Sequence, residues 1–368
     1  MAYFLRLKKG FVVFGLYDLL AHLVFAFALL FFHQQGYSLA SLVALYALQT
    51  ALRVVLIPCF SWFPIKKFLL VGFLCSTAVA ATLLWNHGVY SFWLYGFFLG
   101  LSGIFFWVPL NYLFFAESKR ETNAVDSAFY TLLPAILAIF LPPVAARIIN
   151  YYGYPVLFIL GLALSLLITI IISYIVTEQE HHTNWKQDWH KFKSLKTLTC
   201  CEGALQFFGA VIIPVYSLLF LKTEVQWGWF LSYVGIVGFV IALFLGYHSD
   251  RTQRRKKYLS ILLVLFFFSI ILLSMMKSLI GWFVAVGIYT LLENVSYPLR
   301  LAVSLDSIQA NMGFWKMREF FLNFGRTVML GLAALLLWKR WYLLMFSMFG
   351  LMVLSYVVLV NYKLKAIK

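Results

Sequence analysis

The chain is 368 residues long, 63% of them hydrophobic, 19% aromatic and only 11% charged, with a mean hydropathy of +0.90 and a formal net charge of +16. A water-soluble domain averages about 45–50% apolar and about 25% charged residues, so no soluble core could hide this much apolar surface. Disorder, collagen-like repeats and disulfide-rich secreted scaffolds are excluded on the same grounds, and a polytopic membrane protein is the class that fits.

A bilayer core about 30 Å thick needs about 20 apolar residues per helix. Runs of that kind predict an all-α protein with twelve transmembrane helices, at 11–33, 38–61, 68–86, 90–115, 126–149, 153–177, 198–221, 226–247, 258–279, 280–302, 314–338 and 340–361. Arg6, Lys8 and Lys9 precede an apolar run longer than a signal-peptide core and without a small-residue cleavage pattern, so it reads as the first span. With that segment placed inside, the basic residues fall mainly in the alternate loops that share its side. Of the 29 basic residues, the opposite loops hold Arg147, Lys222, Lys277, Lys339 and Arg340, while Arg53 and Arg326 lie within spans. This asymmetry predicts a multi-pass protein of the plasma or inner membrane with both termini cytoplasmic. It also accounts for the basic charge without a nucleic-acid partner. Cys59, Cys75, Cys200 and Cys201 show no metal-ligand spacing, so no metal, cofactor or disulfide is expected.

A polar segment, Glu178 to Thr197, follows the sixth span and divides the chain into a six-helix bundle at 1–178, a cytoplasmic linker at 179–197 and a second six-helix bundle at 198–368. Lys66-Lys67-Phe68 is echoed by Lys256-Lys257-Tyr258, and Pro109-Leu110 by Pro298-Leu299, at nearly equal offsets. Equal offsets at equivalent positions favour a six-plus-six duplication.

After the eighth span stands Gly246-Tyr247-His248-Ser249-Asp250-Arg251-Thr252-Gln253-Arg254-Arg255. Glycine permits close helix approach, an aspartate can face a helix N-terminus, and a basic run holds to the cytoplasmic surface. The segment resembles the signature loop of the major facilitator superfamily, in which Gly, three residues, Asp-Arg, any residue, Gly and two basic residues follow the second span and often the eighth. Gln253 replaces one family glycine. The equivalent loop after the second span, Pro58 to Lys67, keeps only the basic tail, with Phe60 and Ser61 at the offsets of Asp250 and Arg251. The resemblance implies two bundles that rock about a central site, with Gly246, Asp250, Arg251, Arg254 and Arg255 as a cytoplasmic gating motif. No subfamily is assigned: the Gly-rich fifth-span motif of drug–proton antiporters, the sugar-porter signature after the sixth span and the peptide-transporter motif of the first span are missing.

An ionisable side chain inside a span is costly unless it meets a cavity or a partner. Asp18 and His22 stand four apart in the first span and share a helical face. At about 1.5 Å per residue, Asp18 and Arg53 lie roughly 11 and 12 Å from the inner end, so an Asp18–Arg53 pair is expected. In the second half Glu293 and Asn294 in the tenth span, and Asn323 and Arg326 in the eleventh, suggest a Glu293–Arg326 pair. Asp18, His22, Arg53, Glu293, Asn294, Asn323 and Arg326 are therefore the candidate substrate- and proton-binding residues, with Glu293 foremost for coupling. Glu202, Glu319, Arg300 and Asp306 are assigned to loops and helix ends.

The expected activity is secondary active transport of a small organic solute by alternating access, coupled to protons, by a monomer in the lipid bilayer. The sequence holds no GxxxxGK[ST] phosphate loop, HExxH or GxSxG, which argues against an ATP-driven pump and against an enzyme. A lipid or hydrophobic-drug flippase or exporter on the same fold, and a transport-inactive sensor or assembly partner, are the alternatives.

Overall fold

The structure, a computed structural model, describes residues 8–115, 123–248, 255–308 and 310–363, and for residues 8, 123–126, 128, 129, 131, 241–248, 255–258 and 363 the backbone alone. Ten helices among the described residues are long and apolar enough to cross a membrane. Glu224–His248 and Arg255–Met275 stand between them as the eighth and ninth spans, so every predicted run is occupied by a helix. Large apolar side chains such as Tyr174, Ile280 and Phe140 face outward, as lipid contact requires.

Helix ends follow local capping chemistry more closely than hydropathy. Ser38, Ser278 and Asn311 accept hydrogen bonds from the amides of Ser41, Gly281 and Phe314 at 3.1, 3.2 and 2.9 Å, starting the second, tenth and eleventh spans. The second span is shorter than predicted. It runs over Leu39–Leu56 and tightens into a 3₁₀ turn, Ile57–Cys59, around Pro58.

Two spans are interrupted at mid-depth, and they hold the same place in the two halves. The first breaks between Lys8–Leu23 and Ala28–Gln34 at a 3₁₀ turn, Phe25–Phe27, where the Trp227 indole donates to the Ala26 carbonyl at 2.9 Å. The seventh breaks between Lys196–Phe207 and Ile213–Ser217 at a π turn, Phe208–Ile212, just before Pro214, which cannot donate to the helix ladder.

Small residues let the helices approach. The fourth span carries Gly96, Gly100 and Gly103 along the face that receives Leu45, Leu52 and Arg53 of the second. The seventh and eleventh spans touch reciprocally. A Cβ on Gly203 would overlap the Leu322 carbonyl oxygen, and one on Gly325 the Cys200 carbonyl oxygen.

The connection between the bundles is ordered, and it forms the chain's one described sheet. Trp62–Pro64 (β1), after the second span, pairs antiparallel with Glu180–His182 (β2), in the register Trp62 with His182 and Pro64 with Glu180. Nothing in the hydropathy signals this ladder. A short helix, Trp185–Lys191, then lies against the start of the eleventh span, and Trp185 stacks edge-on with Phe320 at 5.1 Å. The ammonium of Lys316 reaches back to the Phe60 carbonyl and to Thr183 Oγ1. Asp188 sits where a Cβ on Gly313 would collide with its carboxylate, beside the first turn of the eleventh span, where a helix favours negative charge. Desolvation raises the Asp188 carboxyl above its ordinary value, against the opposing pull of Lys316 and Lys191. Trp62 and Trp185 both serve this docked linker: the Trp62 indole donates to Glu180 Oε2 at 3.3 Å.

The close approach of the seventh and eleventh spans is testable. Gly203→Ala and Gly325→Ala should each cost about 1–3 kcal/mol through overpacking. Gly331→Ala, whose added Cβ meets nothing within 4 Å, should leave the detergent-solubilised melting midpoint unchanged.

Candidate functional site

A cavity of about 470 Å³ lies between the two bundles and is lined from both. From the first half come His22, Gln49 and Arg53, and from the second Gln206, Glu319 and Arg326. Contacts between the halves occur on either side of it. On the linker side the rings of Phe115 and Trp315 stack at 5.2 Å, and Asn111 Nδ2 donates to Glu319 Oε1 at 3.3 Å. On the far side Gln34 Nε2 donates to Glu224 Oε1 at 2.8 Å, and Trp227 closes on Ala26. Midway, Thr327 donates to Thr50 at 3.0 Å and joins the eleventh span to the second.

Arg53 enters the cavity from the second span through a slot in the fourth. Its Nε and Nη2 donate to the carbonyl oxygens of Gly100 and Leu99 at 3.3 and 3.1 Å. Gly103 makes the slot, since a Cβ there would coincide with the guanidinium. Among the described residues no carboxylate lies within ion-pair distance of Arg53. The expected Asp18–Arg53 pair is thus corrected: similar depth brought the residues level, but they face different neighbours. Asp18 is buried outside the cavity lining, with Oδ2 unpartnered among the described residues. His22 does line the cavity, and its Nδ1 lies 3.0 Å from the Asp18 carbonyl oxygen.

The eleventh span supplies most of the remaining polarity. Arg326 donates from Nη2 to Gln206 Oε1 at 2.5 Å and from Nη1 to Asn323 Oδ1 at 3.2 Å, while Glu319 Oε2 stands off at 3.7 Å. Its guanidinium also lies 4.4 Å from the Phe207 ring centroid. Glu319 receives Asn323 Nδ2 at 3.2 Å as well as Asn111, whose own Oδ1 accepts from Tyr130 at 2.8 Å. Gln206 Nε2 continues the chain to Glu202 at 3.2 Å, and Glu202 holds Arg318 bidentately at 2.7 and 2.9 Å. One polar network therefore runs through the fourth, fifth, seventh and eleventh spans.

The Glu293–Arg326 pair is also corrected. Glu293 binds Arg300 of its own helix at 2.6 Å, seven residues on and hence on the same face, and neither Glu293 nor Asn294 lines the cavity. Asn294 instead donates to the Thr290 carbonyl at 2.8 Å. Asn323 stands behind the lining, holding Arg326. Glu202, Glu319 and Arg300, assigned from sequence to loops and helix ends, are buried members of ion pairs, as is Arg318. For Glu319 a signal existed, since it shares a spacing of three and four residues with Lys316, Asn323 and Arg326 along the eleventh span. Of the gating motif, Asp250, Arg251 and Arg254 lie outside the described residues, and for Gly246 and Arg255 only the helical backbone is described.

Two six-helix bundles about a shared internal chamber define a class of multi-pass membrane protein. The chain belongs to the Major Facilitator Superfamily, whose family model matches residues 10–315. It is 26% identical over 266 residues to YqgE of Bacillus subtilis (strain 168), a protein described as uncharacterized, covering 64% of this chain and 59% of that relative's length. The crystal structure of the human organic anion transporter MFSD10 (TETRAN) superposes with a TM-score of 0.68 at 12% identity, over 96% of this chain and 99% of that one. At that identity the likeness is one of fold.

Removing one partner of the buried Glu202–Arg318 pair leaves an uncompensated charge, so Glu202→Gln should cost about 3–5 kcal/mol of stability, read as a fall in melting midpoint. Gly103→Ala should be milder in stability but should displace Arg53, and cross-linking or spectroscopic distances to residue 53 would register the shift.

Proposed function

We propose that the protein is a secondary active transporter that carries a small organic solute by alternating access, with the linker side cytoplasmic and proton movement coupled to the solute. The observation that carries this reading is a chamber lined by both halves with contacts between the bundles on either side of it. Such contacts can be broken one set at a time, which is the requirement for exposing one site alternately to two compartments. The charged and amide side chains set into its wall favour a solute with polar groups over a lipid.

In this reading Arg53 and Arg326 hold the solute, and Asp18 with His22 carries the proton. Glu293 gives up the coupling role, because its carboxylate is engaged by Arg300. Tyr17 and Tyr130 are among the titratable neighbours of Asp18, and His22, one turn on along the same helix and bonded to the Asp18 main-chain carbonyl, lines the chamber. Cytoplasmic orientation of the linker rests on the basic-residue asymmetry.

Proteoliposomes with and without an imposed pH gradient, screened against a solute panel, test the proposal. Flux driven by the gradient is expected in the wild type. Asp18→Asn should retain downhill exchange but lose the response to the gradient, whereas Glu293→Gln should keep that response while lowering the melting midpoint. Absence of flux for every solute would refute transport, and a fully coupled Asp18→Asn would remove Asp18 from the proton path.

A further inference from the structure

The charge balance of the chamber narrows what it can hold. Three guanidinium groups, Arg53, Arg318 and Arg326, and one carboxylate, Glu319, line it. Arg318 is neutralised from behind by the bidentate Glu202. Arg326 and Glu319 are a loose pair at 3.7 Å, with the arginine held chiefly by the amide oxygens of Gln206 and Asn323 and its buried Nε left without an acceptor. Arg53 has two backbone carbonyls and no carboxylate among the described residues. Among the described residues one full positive charge in the lining is therefore uncompensated, at membrane depth, where a lone charge costs several kcal/mol or more.

Arg53 and Arg326 line the same chamber from opposite halves. Arg326 is next to Thr327 and Arg53 is one turn from Thr50, and those two hydroxyls bond at 3.0 Å across the bundle interface. An anionic group placed there would meet one arginine from each half. Guanidinium forks match a carboxylate bidentately, which selects a planar oxyanion over a neutral polar group. The rest of the wall is largely aromatic and aliphatic, including Tyr46, Tyr95, Phe207 and Trp227, which suits an apolar body. The volume falls in the range of pockets for drug-sized molecules, about 300–1,000 Å³.

We infer that the chamber is a binding site for an organic carboxylate with a flat apolar body, its carboxylate bridging Arg53 and Arg326 and displacing Glu319 from the latter. This deepens the transport reading and rests on it for the movement of the solute, but not for its binding. Glu319 then acts as a tethered stand-in for the solute, engaging Arg326 weakly when the chamber holds no anion and yielding to a better-placed carboxylate.

The test compares 2-naphthoate, its neutral carboxamide 2-naphthamide and the cationic 2-naphthylmethylammonium, by calorimetric titration of the full chain purified in detergent. Naphthoate is expected to bind at least tenfold more tightly than the amide, with the ammonium weakest. Arg53→Met, which keeps an apolar stem in the Gly103 slot, should reduce the carboxylate preference to less than threefold. Arg147→Met, at an exposed site remote from the lining, should preserve it. Should Arg53→Met fail to fold, the three wild-type titrations still decide. Equal affinity for acid and amide, or no binding of any of the three, overturns the inference, as does an unaltered preference in a folded Arg53→Met. Flux assays separate the two readings. Vesicles that move the amide or the ammonium without preference for the acid leave transport standing and sink the anion site. Tight, selective binding of naphthoate with no flux of any probe does the reverse.

Discussion

A guanidinium group inside a bilayer must be given acceptors, because no water is there to supply them. Four buried arginines meet that demand in graded ways. Arg318 receives both oxygens of Glu202, and Arg300 receives Glu293 from its own helix. Arg326 is content with two amide oxygens and a distant carboxylate, and Arg53 with two main-chain carbonyls. Counter-charge separates them: Arg318 and Arg300 each have a carboxylate in direct contact, although Arg300 keeps Nε and Nη1 unpartnered among the described residues. The Glu202–Arg318 pair ties the seventh span to the eleventh, whereas Arg53 and Arg326 face the chamber from the two halves with no carboxylate in hydrogen-bond contact among the described residues.

Backbone irregularity is concentrated in the same place. The 3₁₀ turn of the first span and the π turn of the seventh both border the chamber, through Phe25 and Ala26 on one side and Ala210 and Pro214 on the other. Within a membrane such breaks are tolerated where protein or a cavity re-satisfies the freed groups, and Trp227 does so at Ala26. Their matching positions in the two halves agree with the duplication read from Pro109 and Pro298, each of which lies inside its helix. The side chains did not follow suit. Arg53 has no counterpart in the second half at the repeat offset, and the chamber is accordingly asymmetric in charge.

Hydropathy is a one-dimensional quantity, and it made legible what varies along one dimension: which segments cross, and in what order. Depth could also be read, which is why Asp18 and Arg53 looked like partners. Azimuth could not. Whether a side chain faces the chamber, a neighbour or its own helix depends on how each span is rotated, and rotation is set by contacts such as Gly203 with Leu322 that carry no periodic signal. The β1–β2 ladder was invisible for a related reason, since it joins segments more than a hundred residues apart that are each only three residues long. Charges near span ends were read as loop residues because end positions tolerate solvent. In the fold Glu202, Arg318 and Glu319 turn inward and are enclosed by neighbouring helices.

The loop after the second span shows how a lock can persist when its side chains change. Where the eighth-span motif has Asp250 and Arg251, this loop has Phe60 and Ser61, neither able to form an ion pair. Their backbone is used instead: the Phe60 carbonyl accepts Lys316, and the Ser61 carbonyl accepts the Thr183 amide at 2.8 Å. The cation has moved to the eleventh span, and the carboxylate near that helix's first turn comes from Asp188 of the linker. Lys316, Glu319, Asn323 and Arg326 therefore lie along one face of one helix. A rigid helix that carries both the linker-side lock and the chamber's cation cannot shift at one without shifting at the other. In the proposed cycle a movement of the eleventh span would therefore be felt at both places, which is what coupling between a gate and a binding site requires.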